Sequence, residues 1–395
     1  MLCFLRSNIQ YQVKLKQMKI KKTIAFYCTS TGFGGLEMNT VRLAKWLVEQ
    51  KLFNVVMLGM EGSPVMKLAQ DMDLPIAYTR RYAKHLDIRG ALNLRRVLHS
   101  NGIDAVFATN NKDLNVLALL KNVLQSKVKV VYQQHMDLVI NKRDIVHTLR
   151  YAAIDIWIAP LEGIKKDVLR NTRVPSRKIR IIPLGIDCAQ LLSKKKDKQV
   201  ALQQLQLSPV HPLLGIMGRI DRHKGQLLLL QALFMLRERG INAEVLIVGE
   251  PTRGEEQGQN YMNSIKDFIH NHVLENRVHM RPFMQDVETF YSAIDIFVMA
   301  TIRETYGMVT GEAMIYGLPI IGSNAGGTVD LLAEYNGYQL FKTCDAKDLA
   351  DKLQLLLTNL EQNQQQAQRA AQNAVRFFSH VEECNMIASA INALF

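Results

Sequence analysis

The sequence predicts two α/β domains, each a Rossmann-like parallel sheet flanked by helices, facing each other across a cleft. Three observations carry this prediction. The 395 residues exceed what one hydrophobic core usually serves. Short apolar runs alternate with amphipathic helical patterns, which is the rhythm of parallel sheets with helical crossovers. A polar, lysine-rich stretch at 191–212, "LLSKKKDKQVALQQLQLSPVHP", then interrupts that rhythm midway. With 48% hydrophobic and 22% charged residues, the chain has an ordinary globular composition, neither disordered nor fibrous.

Taken in order, residues 1–17 precede a natural start at Met18 and read as a start-site artefact rather than a basic arm outside the fold. The N-terminal domain is expected over 18–190. Its strand-like runs are "KTIAFYCTS" (22–30), "NVVMLGM" (54–60), "AVFATNN" (105–111), "KVVYQQH" (129–135), "DIWIAP" (155–160) and "KIRIIPLG" (178–185). Helical patterns such as "EMNTVRLAKWLVEQK" and "IRGALNLRRVLHSNG" separate them. Residues 191–212 are the expected linker, and the C-terminal domain follows over 213–376. There the strand-like runs are 213–220, 243–250, 277–283, 295–300, 319–324 and 337–341. The tail reads as helical throughout, with a solvated glutamine-rich face, and 377–395 are expected to pack back on the N-terminal domain. Ligands of such sheets bind beyond the carboxyl ends of the strands, so the cleft is the place to look.

Five scattered cysteines, without a Cys-x-x-Cys pair or a histidine at metal spacing, read as free thiols in a reducing cytoplasm. No apolar run approaches the roughly 18 residues that span a bilayer, and "MLCFLRS" is too short for a secretory signal core. Charge is unevenly spread. Residues 1–190 hold 30 Lys and Arg against 14 Asp and Glu, while the remainder holds 19 against 22. A basic half suggests a polyanionic partner, either nucleic acid or an anionic membrane surface.

The stretch "ETYGMVTGEAMIYGLP" (304–319) sits between a strand-like run and "GLPIIGSN", with Gly307 at a helix start and Gly317 at its end. The first amides of a helix lack internal partners and carry the positive end of its dipole, so Gly307, Met308 and Val309 form an anion seat suited to phosphate. Glu304 precedes the seat and Glu312 lies roughly 7–8 Å along the helix, at ~1.5 Å per residue. Carboxylates accept hydrogen bonds from vicinal hydroxyls, so a sugar on one side and a ribose on the other fit this pair. A glutamate beside a helix N-terminus commonly serves only the dipole. That explanation weakens here because "GRIDRHKG" (218–225) supplies Arg219 and Lys224 after the first strand of the same domain, where two cations suit a leaving diphosphate without a metal.

Together these motifs resemble the retaining GT-B glycosyltransferases of family 4, over nearly the whole chain from Met18. The matching residues are "FGGLE" (33–37), His135 after the fourth strand-like run, "GRIDRHKG" and, most specifically, "ETYGMVTGEAMIYGLPIIGSNAGG". The resemblance implies that Glu312 holds the ribose and Glu304 the donor sugar. It also implies that Arg219 and Lys224 hold the diphosphate, that Gly34 and Gly35 let backbone approach it, and that His135 faces the sugar. Arg281, in "HMRPFMQD", would lie near the base, although "VGEPTRGEEQGQ" (248–259) departs from the family's short Gly-rich turn. In this family the N-terminal domain usually takes the acceptor, and the leaving phosphate helps take the acceptor proton.

Other signals are set aside. "TGFGGLE" places Glu37 where a dinucleotide fingerprint wants its third glycine. "DMD" (71–73) ends a helix before Leu-Pro and reads as solvated surface rather than a metal site. Asp137 reads equally well as a turn residue.

The expectation is therefore a cytoplasmic, metal-independent hexosyltransferase without cofactor. It uses a UDP- or GDP-sugar and an anionic or lipid-linked glycan acceptor, at the surface of an anionic membrane, in cell-envelope polysaccharide or lipopolysaccharide synthesis. The rivals are another GT-B enzyme, such as a nucleotide-sugar epimerase, and a nucleic-acid-binding protein. The basic half lacks the interleaved aromatics that the second rival requires.

Overall fold

The computed structural model describes residues 21–83, 86–138, 140–252, 254–333 and 338–395. The lead-in at 1–17 lies outside them. Apolar runs condense into two sheets in which every described pairing is parallel. The first contains β1 (Thr23–Cys28), β2 (Asn54–Gly59), β3 (Ile76–Tyr78), β4 (Ala105–Ala108), β5 (Lys129–Gln133), β6 (Ile156–Ala159) and β7 (Ile179–Ile181), in the order β3-β2-β1-β4-β5-β6-β7. The second contains β8 (Leu213–Met217), β9 (Glu244–Val248), β10 (Val278–Arg281), β11 (Ile296–Met299), β12 (Ile320–Ser323) and β13 (Tyr338–Phe341), in the order β10-β9-β8-β11-β12-β13. Strands such as β4, β6, β9 and β11 are buried along their whole length, as parallel strands covered on both faces must be. Strand order reverses at β1/β4 and at β8/β11. Connections on either side of such a reversal diverge and leave a crevice beyond the strand ends.

All six strand-like runs of the second series are strands, and the first series gains one. β3 is only three residues long and carries no fully buried side chain, so it lacks the apolar signal that marks the others. His135 consequently follows the fifth strand rather than the fourth. The stretch expected as a linker is also folded. Helices Cys188–Ser193 and Lys198–Gln204 start where Asp187 and Asp197 accept hydrogen bonds from the amides of Gln190 and Gln199. Leu191, Ala201, Leu202, Leu205 and Leu207 of this stretch are buried. The tail forms three helices, Ala346–Thr358, Leu360–Phe377 and His380–Asn392, interrupted at Asn359 and at Phe378–Ser379. The middle one buries only Ala367, Ala370 and Ala374 and turns its glutamine-rich side outward.

By contacts the described residues fall into two compact units. The first takes residues up to Gln133 together with Ile145–Ile156 and Ala388–Phe395; the second takes Gln134–Asp144 and Trp157–Ile387. Among the described residues no helix is long and apolar enough to cross a membrane.

Candidate active site

The second unit assembles a polar site at its strand-order reversal. Beyond β8, the turn Arg222–Lys224 is initiated by Asp221, whose carboxylate accepts from the His223 amide at 2.8 Å and pairs with Arg219 at 2.9 Å. Gly225 then adopts φ +77°, and a Cβ there would collide with the carbonyl oxygen of Ala300, just after β11. The turns after β8 and β11 are thus packed backbone to backbone, and the Ile302 amide donates to the His223 carbonyl at 2.8 Å. This contact brings Lys224 to Glu304, 2.7 Å from Nζ to Oε2, with both side chains partly shielded from water. The two residues that the sequence assigns to diphosphate and sugar stand side by side. A lysine ammonium has three N–H donors, so one bond to Glu304 leaves two for a ligand.

Glu304 is fixed through its backbone as well. It bridges to Gly326, and its carbonyl accepts from the Gly327 amide at 2.7 Å. Three residues on, Gly307 takes φ +81° and caps the helix Met308–Tyr316, placing the amides of Met308 and Val309 in the first turn, where no intrahelical acceptor exists. Gly317, at φ +70°, ends the helix. Glu312, in its second turn, has Oε2 2.7 Å from the hydroxyl of Tyr291, which also lies 3.1 Å from the Val309 carbonyl. Burial and then the neighbouring Glu312 raise the Tyr291 phenol well above its ordinary value, so it remains a proton donor.

His135, just after β5, belongs to the second unit. Its neighbour Gln134 is held on both sides: its amide donates to the Ile158 carbonyl at 2.9 Å, and its side-chain carbonyl accepts from Trp157 Nε1 at 2.8 Å. Burial lowers His135 to about 4, which keeps the ring neutral at physiological pH. Two residues further, Asp137 accepts from Arg303 Nε at 2.7 Å, and Arg303 also reaches Asp167 at 3.0 Å. Arg303 thereby links the loop of His135 to the loop of Glu304. The second carboxylate oxygen of Asp137 is buried and has no hydrogen-bond partner among the described residues.

Other expected residues have different surroundings. Arg281 ends β10, the outermost strand, and its guanidinium donates to the carbonyls of Leu205, Gln206 and Met280. Gly34 and Gly35 belong to the first unit, where Gly34 caps the helix Gly35–Glu49 in an extended conformation and donates its amide to Glu37 at 3.0 Å. Glu37, which breaks the dinucleotide fingerprint, is thus a capping residue. Asp71 and Asp73 are exposed. Among the described residues no three His, Cys, Asp or Glu side chains stand together as metal ligands could.

The model for glycosyl transferases group 1 matches residues 197–373, and that for Glycosyltransferase Family 4 matches residues 33–190. The chain belongs to this glycosyltransferase family. Trehalose synthase of Pyrococcus horikoshii is 23% identical to this glycosyltransferase over 414 residues, 97% of this chain and 93% of that one. The lipopolysaccharide 1,2-N-acetylglucosaminetransferase of Salmonella typhimurium is 26% identical over 211 residues, about half of each chain (52% and 54%). In fold, the glycosyltransferase matches HepE of Anabaena, solved in complex with UDP, with a TM-score of 0.80 over 94% of this chain and 100% of that one at 20% identity. Its architecture is GT-B. The sequence did not mark Tyr291 or Arg303 as site residues, because their partners lie 21 and 166 positions away.

Proposed function

We propose that this glycosyltransferase moves a hexosyl unit, with retention and without a metal, from a UDP- or GDP-sugar to an anionic or lipid-linked glycan of the cell envelope. The observation that carries this proposal is the grouping at β8/β11: Lys224 against Glu304, beside the free amides of Met308 and Val309 and the Tyr291-supported Glu312. In this scheme the helix amides, Lys224 and Arg219 take the diphosphate, Glu312 the ribose and Glu304 the donor sugar. The unpartnered oxygen of Asp137 offers an acceptor to a further hydroxyl. In the first unit a Cβ on Gly35 would meet nothing within 4 Å, so the chain's own packing does not demand glycine there. A bare backbone instead leaves room for a ligand.

The bond between the anomeric carbon and the β-phosphate oxygen breaks with its electron pair leaving on the diphosphate. Preorganised cations and amides are strongest where that charge develops. The acceptor hydroxyl adds to the same face, and its proton passes to the departing phosphate oxygen. His135, neutral through its burial, takes no charge in this step and orients the sugar. The buried thiols of Cys28, Cys188 and Cys384 are consistent with action in the reducing cytoplasm.

The test is a thermal-shift screen of uridine and guanosine diphosphate sugars, followed by NMR of the product's anomeric configuration with and without EDTA. Stabilisation by one donor, an axial donor bond giving an axial product, and turnover unaffected by chelation are expected. Inversion, or silencing by EDTA with rescue by Mg²⁺ or Mn²⁺, would refute the corresponding part.

A further inference from the structure

Two stretches that the nucleotide seat does not use meet in the second unit: the lysine run Lys194–Lys198 and the glutamine-rich helix Leu360–Phe377. Between them lies an open cavity of about 760 Å³, lined also by Tyr291, Asp295 and the turn Tyr316–Pro319. It stands at the C-terminal end of the helix Met308–Tyr316, whereas the anion seat stands at its N-terminus, ~13 Å away at 1.5 Å per residue.

The lining is mixed. Lys196 is paired with Asp286, and Lys198 lies 2.5 Å from Asp295. Lys195 differs from both. Its ammonium donates to the Tyr316 carbonyl at 3.3 Å and rests 5.4 Å from the centre of the Tyr316 ring, and among the described residues no carboxylate oxygen lies within 4.0 Å. Partial burial there pushes its pKa down. Arg369, exposed at the rim, likewise has no carboxylate in ion-pair range among the described residues. Opposite them, Gln364 donates to Asp295 at 3.4 Å and Gln368 to the carbonyls of Tyr316 and Gly317 at 3.2 Å each. These bonds use the amide N–H groups and orient the side chains, leaving the amide oxygens as acceptors.

Each feature narrows the ligand. Cations and amides in the wall disfavour an apolar molecule, whose burial would leave them unpaired. A bare anion needs neither the amides nor this volume. The amide acceptors and the exposed carboxylates of Asp197 and Glu361, which also line the cavity, suit hydroxyls, while Lys195 and Arg369 suit a single acidic group. We propose that this cavity is a second ligand site for a saccharide bearing a phosphate or a carboxylate, with Lys195 and Arg369 on the anion and Gln364 and Gln368 on the hydroxyls, while Asp295, already engaged by Lys198, Gln364 and the Leu213 amide, holds the wall in place. Tyr291, whose hydroxyl bonds Glu312, stands between this site and the nucleotide seat, and the site stands whether or not the donor is a UDP-sugar.

Calorimetry on the full chain with excess UDP present tests the proposal, using a hexose 6-phosphate, glucuronate, glucose and inorganic phosphate as probes. At least one acidic sugar is expected to bind at a 1:1 ratio, with glucose and inorganic phosphate each weaker by about tenfold or more, the effect of losing one charged contact. The relative affinity of the two acidic sugars says whether phosphate or carboxylate is the natural anion. Lys195→Gln combined with Arg369→Gln should weaken the acidic sugar by a similar factor while lowering the melting temperature only slightly, through the lost contact of Lys195 with Tyr316. Glucose 6-phosphate and glucuronate both failing to bind, undiminished binding by the double variant, or equal binding of inorganic phosphate would overturn the proposal.

Discussion

At the scale of single residues, the site turns on which carboxylate meets which part of the donor. Glu312→Ala is expected to weaken binding of the nucleoside diphosphate itself by about tenfold, because a charged acceptor for ribose hydroxyls is lost. Glu304→Ala should leave diphosphate affinity near wild type and lower turnover by about 10²-fold or more. Undiminished nucleotide affinity in Glu312→Ala, measured by calorimetry, would refute the assignment. The sequence made Glu304 and Glu312 legible because they flank a helix entrance in one local run, and Lys224 because it follows a strand-like run. It left Tyr291, Arg303 and Asp137 illegible, because an ordinary tyrosine, arginine and aspartate acquire roles only when distant segments fold together. Asp113 is a further residue of that kind. It is fully buried beyond β4, accepts from both the amide and the hydroxyl of Thr29, and is raised by burial to about 6 from 3.8. The folded protein therefore holds a proton that the unfolded chain releases, and stability should fall as pH rises from about 4 to 6, by up to about 3 kcal/mol. Asp113→Asn should flatten that part of a urea-denaturation pH profile; an unchanged slope would show that Asp113 does not cause it.

At the scale of elements, the helix Met308–Tyr316 matters through its entrance. Gly307 is left-handed, and a Cβ there would sit 3.1 Å from Glu304 Cγ and 3.3 Å from Thr310 Oγ1. Gly307→Ala should therefore cost about 1 kcal/mol in backbone strain and also displace Glu304, raising the donor KM. Gly240→Ala is the control, since Gly240 is left-handed at φ +73° but its Cβ would meet nothing within 4 Å. A comparable loss of stability without a change in KM is expected there; equal KM effects in both variants would separate the helix entrance from donor binding. The strands were legible wherever a fully buried parallel strand leaves a continuous apolar run, as in β8, β9, β11 and β12. β3 was not, because three half-covered residues leave no such run. The helices within 191–212 were hidden by their lysines and glutamines, since their few buried leucines and alanines make a narrow apolar stripe that short polar segments obscure. The tail reads as one helix because its propensity hardly changes across Asn359 and Ser379.

At the scale of the whole molecule, the charge asymmetry acquires a surface. In the first unit the helix Ile88–Ser100 exposes Ile88 and Leu92 beside Arg89, Arg95 and Arg96, and the helix Ile145–Ala152 exposes Ile145, Val146 and Leu149. Exposed apolar side chains flanked by cations match the boundary of an anionic leaflet, where each basic side chain contributes about 1 kcal/mol and apolar groups enter the headgroup layer. The attraction falls off within a Debye length and is screened by salt, so attachment through it is reversible. The full-length glycosyltransferase is expected to co-sediment with vesicles containing anionic lipid, to leave neutral vesicles largely in solution, and to be released at high salt. Arg95→Glu together with Arg96→Glu replaces two attractions by two repulsions, and should weaken vesicle binding by well over tenfold while nucleotide affinity, to which the proposed scheme assigns neither arginine, is unchanged. Ile145→Ser with Leu149→Ser should weaken it by a factor that does not change with salt, because the apolar contribution is not screened. Equal binding to neutral and anionic vesicles would mean that the basic half does not recognise an anionic leaflet. Loss of activity on a soluble acidic acceptor in the Arg95/Arg96 variant, with vesicle binding intact, would assign those arginines to the acceptor itself.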